Sequence, residues 1–197
     1  MNKLISTAAA LATLATLSMA ASSAHAQAAT YNIDPSHTFA SFEVTHFGTS
    51  TIRGRFDKKE GTVELDRAAK TGRVEITIDM ASVNTGVAPF EGHLKSKDFF
   101  DVANFPTAKF VADKFSFSGD KVTEVSGMLT LLGKTNPVTL KAGNFGCYNS
   151  PMLKREVCGG DFEATLQRSQ WGVVYAMPMV TPDSVRLLVQ VEAIKQQ

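Results

Sequence analysis

Cysteine is scarce in this chain, neither sign of charge is in surplus, and no long apolar run follows the opening segment. The two cysteines, Cys147 and Cys158, form no C-x-x-C pair. Thiolate metal sites usually draw on four ligands, so a redox or zinc role is the weaker reading of two lone cysteines. Twenty Lys and Arg face 19 Asp and Glu. Because Lys3 is the only charged residue of the first 26, the remainder is balanced. That balance speaks against nucleic acid, whose binders carry a basic excess or stripe, and against tight docking on anionic membranes. Beyond the opening segment nothing is long and apolar enough to span a bilayer, and no cysteine follows that segment to take a lipid anchor.

The opening segment itself has a positive start at Lys3, the apolar stretch LISTAAALATLATLSMA and the small-residue site Ala24-His25-Ala26. That is the pattern of a secretory signal peptide, with cleavage expected after Ala26. Residues 27–197 are then of a length for one well-buried domain. An exported chain meets oxidising conditions, so Cys147 and Cys158 are expected to form a structural disulfide with Cα atoms roughly 4.4–6.8 Å apart. The loop it closes is short and joins two strand-like segments, which restricts the unfolded chain by about 3 kcal/mol.

The remainder reads as β-structure. In GRVEITIDM, Val74, Ile76, Ile78 and Met80 alternate with Arg73, Glu75, Thr77 and Asp79, a period of two that only a strand explains. In DPSHTFASFEVTH, Ala40, Phe42, Val44 and His46 share one face. Comparable runs bounded by Gly, Pro, Asn or Asp bring the total to about eight or nine antiparallel strands. In AKFVADKFSFS the apolar phase shifts from Phe110 and Ala112 to Phe115 and Phe117, which predicts a bulge near Asp113. One short helix is expected over Pro89–Ser96, where Phe90, Leu94 and Phe99 fall near helical spacing before Pro106.

So many alternating strands in one domain make either a sandwich or a closed barrel, and a barrel of eight encloses side chains or one small ligand. Thirteen phenylalanines stand against one tryptophan and three tyrosines. Such a supply of purely apolar aromatic surface suits a packed core and a lined cavity equally.

The segments YNIDPSHTFASFEVTHFGTSTIRGRFDKKEGTVELD, FEGHLKSKDFFDVANFPTAKF, VSGMLTLLGKTNPVTL and QWGV resemble, in order, the successive motifs of the YceI-like family. The resemblance covers essentially all of residues 27–197. It implies an all-β fold, a closed antiparallel lipocalin-like barrel of about eight strands with one short helix. It also implies a periplasmic location and an enclosed polyisoprenoid lipid, an isoprenoid quinone or a polyprenyl carrier, carried for transport, storage or stress response. On energetics, each isoprene unit leaving water gains roughly 3–4 kcal/mol before association costs. One hydrogen bond to a head group nets about 1 kcal/mol. Chain burial therefore sets affinity, and sparse polar residues set the head accepted.

The lining expected for such a chain is Phe42, Val44, His46, Phe56, Val74, Ile76, Ile78, Phe110, Phe117, Leu129, Leu131, Trp171, Val189 and Val191. His46 reads equally as pocket lining and as core. Arg53 and Arg55 suit a phosphate in charge, but alternation sets them opposite Ile52 and Phe56, outside the barrel, which favours a quinone head. No cofactor other than the lipid, no metal and no catalytic residue is expected. A homodimer and transient contact with a membrane or a membrane redox protein are compatible with the resemblance. Asp34, Ser36 and His37 supply the residue types of a hydrolytic triad, yet neighbours on an extended segment point apart. His37, His46 and His93 match no metal-ligand spacing. Gly127 to Gly133 is one residue too long for a phosphate loop. Met177 and Met179 are soft enough to bind cuprous copper, but rim packing accounts for them more simply. Two rival readings stay in view. A lipid isomerase or hydrolase requires titratable groups converging in the cavity, and a structural or partner-binding sandwich requires a filled interior.

Overall fold

The computed structural model describes residues 28–197; the expected signal peptide, residues 1–26, lies outside them. Eleven strands run β1 (Ala29–Ile33), β2 (Phe39–His46), β3 (Ser50–Phe56), β4 (Lys59–Asp66), β5 (Thr71–Asp79), β6 (Val83–Asn84), β7 (Thr107–Ser118), β8 (Lys121–Leu131), β9 (Lys134–Asn149), β10 (Glu156–Gln167) and β11 (Ser184–Lys195). One helix, α1 (Ala88–Leu94), lies between β6 and β7. It is shorter than predicted at its C-terminal end. Pro89 occupies its first turn, where a missing N–H costs nothing.

All pairings are antiparallel, and β1 pairs with both β4 and β11, closing the ring β1-β4-β5-β7-β8-β9-β10-β11. The strand count exceeds the predicted eight or nine because three staves are each broken once. β1 and β2 lie successively along β11, with residues 34–38 between them. β3 and β4 are parted at Asp57 and Lys58, and β5 and β6 by a 3-10 turn at Met80–Ser82. These breaks divide the barrel into a lower half, where the ring closes strand to strand, and an upper half, where it does not. In the upper half β3 pairs fully with β2 but meets β6 only at Arg55 and Phe56. Residues 85–106, including α1, complete that wall with side chains: Phe90, Phe99, Phe100 and Val102 pack on Phe56, Met80, Val83, Leu94 and Ala108.

The expected bulge is present. Register shifts between Ala112 and Lys114, leaving Asp113 without a partner. Opposite it, a Cβ on Gly127 would come within 2.4 Å of the Ala112 Cβ, so the close approach of β7 and β8 requires glycine. Cys147 and Cys158 face one another across β9 and β10 and are joined. Their Cα separation of 4.1 Å falls just below the expected range, because the two residues are direct cross-strand neighbours. Among the described residues no helix is long and apolar enough to cross a membrane.

Candidate functional site

The interior is not filled. A lower chamber of about 140 Å3 is bounded by residues of the closed ring, and an upper chamber of about 330 Å3 lies under α1 and the 172–183 loop. On this measure one water needs only about 10–15 Å3. Ala40, Ile78, Leu129 and Leu187 belong to both walls, so the chambers meet at that belt.

Strand alternation delivers the lining. Val74, Ile76, Ile78, Phe110, Leu129, Val189 and Val191 face the lower chamber. Phe42, Val44, His46, Phe56, Ile78, Leu129, Leu131 and Trp171 face the upper one. Phe42 lies across from Gly54, where any Cβ would collide with its ring at 2.3 Å. Trp171, 1% exposed, donates its indole N–H to the Leu129 carbonyl at 3.0 Å, which leaves only its apolar rim for the cavity. Phe117 is a correction. It lines neither chamber: near the end of β7 it packs half-buried against the core on the same side as Phe115. It stacks on Phe115 instead, 6.4 Å between centroids, and Phe115 is the wall residue.

Several wall residues carried no recognised signal in the sequence. Leu187, Phe162, Val63 and Leu65 share the apolar phase of their strands and were within reach of the same argument that found Val189. His93 and Tyr175 were not, since they come from α1 and the 172–183 loop and meet only in three dimensions. Their rings are 5.0 Å apart, each also against Phe99, at the upper chamber.

The polar groups of the wall are few. At the lower end the Tyr31 hydroxyl donates to Glu156 at 2.6 Å, and Arg67 holds the other carboxylate oxygen at 2.9 Å. Burial, then the bond to Glu156, pushes the Tyr31 phenol well above its usual range. Lys59 starts on the inward phase of β4, but its amine donates to the Asp57 carbonyl at 3.2 Å and lies 4.5 Å over the Phe39 ring. Burial lowers its pKa. Arg168 is buried at the wall of the upper chamber, bonded to Thr181, and His46 and His93 line the same chamber. No Asp or Glu appears on either wall among the described residues.

Among the described residues the histidines do not meet as a metal site. His37 is on the outer turn, while His46 and His93 line the upper chamber. The Cys147, Glu156 and Cys158 group has ligand types within reach of one another, but its sulfurs are bonded together. Contrary to the extended geometry expected for them, Asp34, Ser36 and His37 do converge, since residues 35–37 form a turn. His37 Nδ1 is 2.7 Å from Asp34 Oδ2, and Ser36 Oγ donates to Asp34 Oδ1 at 2.5 Å. The arrangement is not a triad. Asp34 and Ser36 both approach Nδ1, with Ser36 Oγ at 3.2 Å, whereas a relay needs them on opposite ring nitrogens. Arg53 and Arg55 are outside the barrel, paired with Glu43 and Asp57 at 2.8 Å each. Met179 is exposed at the upper rim.

Known proteins place this arrangement. A UPF0312 protein of Pseudomonas paraeruginosa is 35% identical over 189 residues, 94% of this chain and 97% of its own. One from Pseudomonas savastanoi is 39% identical over 135 residues, 67% of this chain and 70% of its own. Among solved structures, Burkholderia cenocepacia BcnA superposes with a TM-score of 0.67 at 24% identity, covering 81% of this chain and 98% of that one. A Saccharophagus degradans domain described as polyisoprenoid binding gives 0.59 at 15% identity, covering 84% and 98%. Those two likenesses speak for the fold. The YceI-like domain pattern matches residues 31–193, and with its closed barrel and close Pseudomonas relatives this chain belongs to the YceI-like family.

Proposed function

We propose that this protein encloses the chain of an isoprenoid lipid in its two joined chambers, as a periplasmic carrier or store, after export and removal of residues 1–26. The observation that carries the reading is the pair of adjoining apolar voids, which share the wall residues Ala40, Ile78, Leu129 and Leu187. An apolar cavity of this kind stays dry and takes an apolar guest. A long flexible chain suits a cavity that continues from one chamber into the next better than a compact ligand does. The Saccharophagus domain, with the same fold, supports the choice of isoprenoid. The unfilled interior also disfavours a purely structural module. Lipid chemistry stays the second reading, since His46, His93 and Tyr175 line the upper chamber, but neither wall offers a carboxylate among the described residues.

On this reading Val74, Ile76, Phe110, Val189 and Val191 hold the distal chain, and Phe42, Val44, Phe56, Leu131 and Trp171 the part nearest the mouth. The head is a quinone or a polyprenyl carrier head. Periplasmic protein, extracted with organic solvent and analysed by mass spectrometry, is expected to yield an isoprenoid lipid near one per chain, with a mature N-terminus at Gln27. Protein that carries only fatty acids, or no lipid, overturns the proposal.

A further inference from the structure

Two charged side chains among the described residues are buried, Lys59 and Arg168, and the fold treats them differently. Lys59 donates its amine to the Asp57 carbonyl at the break between β3 and β4. Arg168, 8% exposed, keeps its guanidinium at the wall of the upper chamber. Nε donates to the Pro182 carbonyl at 3.0 Å, and Nη2 to the Tyr175 carbonyl at 3.0 Å and Thr181 Oγ1 at 2.7 Å. Nη1 has no partner among the described residues. Asp183, the acid whose field reaches Arg168, is itself held by Ser169 through its N–H at 2.8 Å and its hydroxyl at 2.6 Å. The side chain is therefore held by acceptors on Tyr175, Thr181 and Pro182, and the N–H groups of Nη1 stay unused at a chamber whose other polar wall residues are His46, His93, Tyr175 and Thr181.

We infer that Nη1 of Arg168 receives the polar head of the lipid, and that this head is neutral and accepts through a carbonyl-type oxygen. The inference rests on the isoprenoid reading above and names the residue that selects the head. One donor satisfies one carbonyl. A phosphate brings several acceptor oxygens and one or two charges, and beyond Nη1 the wall offers His46, Tyr175, His93, which is already paired with Asp98, and Thr181, which is already bonded to Arg168, so its desolvation is compensated only in part. A hydrocarbon with no acceptor leaves the guanidinium donor unpaired beside it, which a site of this kind discriminates against.

The test uses the full mature protein, stripped of lipid, and three probes with the same prenyl chain: a prenylated benzoquinone, the corresponding prenylbenzene and the prenyl monophosphate. The quinone is expected to bind about ten- to a hundredfold more tightly than the prenylbenzene, the value of one hydrogen bond from a charged donor. The phosphate is expected to bind more weakly than the quinone, and the infrared carbonyl band of the bound quinone to shift to lower frequency. Arg168→Gln is expected to abolish both the shift and the quinone's advantage over prenylbenzene. Because Arg168 also anchors the 172–183 loop, the three-probe series on the unaltered protein decides the matter independently of that variant's folding. Equal affinity for quinone and prenylbenzene overturns the head site while leaving the chain site standing. Tighter binding of the phosphate overturns the neutral head. Failure of all three probes to bind overturns the isoprenoid reading itself.

Discussion

A single side chain changes this molecule in proportion to what it faces. Ile76→Asp places an unpaired carboxylate on the wall of the lower chamber, where burying a charge is heavily penalised. Lipid should be lost from the purified protein, with the fold checked separately by circular dichroism. His46→Phe keeps a ring of similar shape at the mouth of the upper chamber and removes its polar atoms. If His46 assists the head, affinity falls about tenfold by titration, and an unchanged affinity assigns it to packing alone. On the outer turn, burial pushes the Asp34 carboxyl up, but bonds from Ser36 and His37 outweigh it and hold the group at about 2 against an ordinary 3.8. The same contact raises the His37 pKa above 6.5. Asp34 thus contributes stability above its unfolded pKa that is lost as pH falls toward 2. The His37 contribution is complete below 6.5 and is lost as pH rises through its higher folded value. Denaturation midpoints of the wild type and Asp34→Asn should differ most near pH 5, converge toward about pH 2, and narrow only in part by about pH 9, where His37 is neutral but the Ser36 bonds to the carboxylate remain. A difference independent of pH would contradict this pairing.

Strands were legible where alternation is strict, and β5 in GRVEITIDM and the bulge at Asp113 are where period and phase place them. β1 escaped notice because ATYNI is too short to establish a period. The wall contributed by 85–106 and 172–183 was illegible for a different reason. Those segments have no repeating phase, and His93, Tyr175 and Arg168 acquire their roles only from packing across the upper barrel. Arg168 in LQRSQW looks like one polar residue among several. The β9–β10 hairpin, in contrast, could be read from its two cysteines. Cys147→Ser with Cys158→Ser is expected to lower unfolding free energy by about 3 kcal/mol in urea, as the loop-closure model gives for a short loop. Lipid occupancy should survive, since only Cys158 touches the chamber wall and neither sulfur offers it a charge.

On the proposed reading, the molecule as a whole couples its stability to its cargo. A ligand that binds only the folded barrel stabilises it by about 2.7 kcal/mol at a hundredfold excess over Kd. Delipidated protein should therefore melt at a lower temperature than protein as purified, and added isoprenoid should restore the difference in a concentration-dependent way. A melting temperature insensitive to lipid removal would sever this coupling. The two halves of the barrel will not respond alike. In the lower half every stave is bonded to its neighbours, whereas the backbone-to-backbone hydrogen bonds of residues 87–105 are all made within that segment, and the nearest such bond beyond its C-terminal end is Met80 N–H to the Pro106 carbonyl. Displacing the segment sacrifices apolar contacts but no rungs of the sheet. In deuterium the amides of 87–105 should consequently label through local openings, long before those of β8 and β9, and bound lipid should slow them most. The barrel has in effect a soft flank and a hard one, and the lipid proposed as its cargo would enter by the soft flank without the hard one ever unzipping.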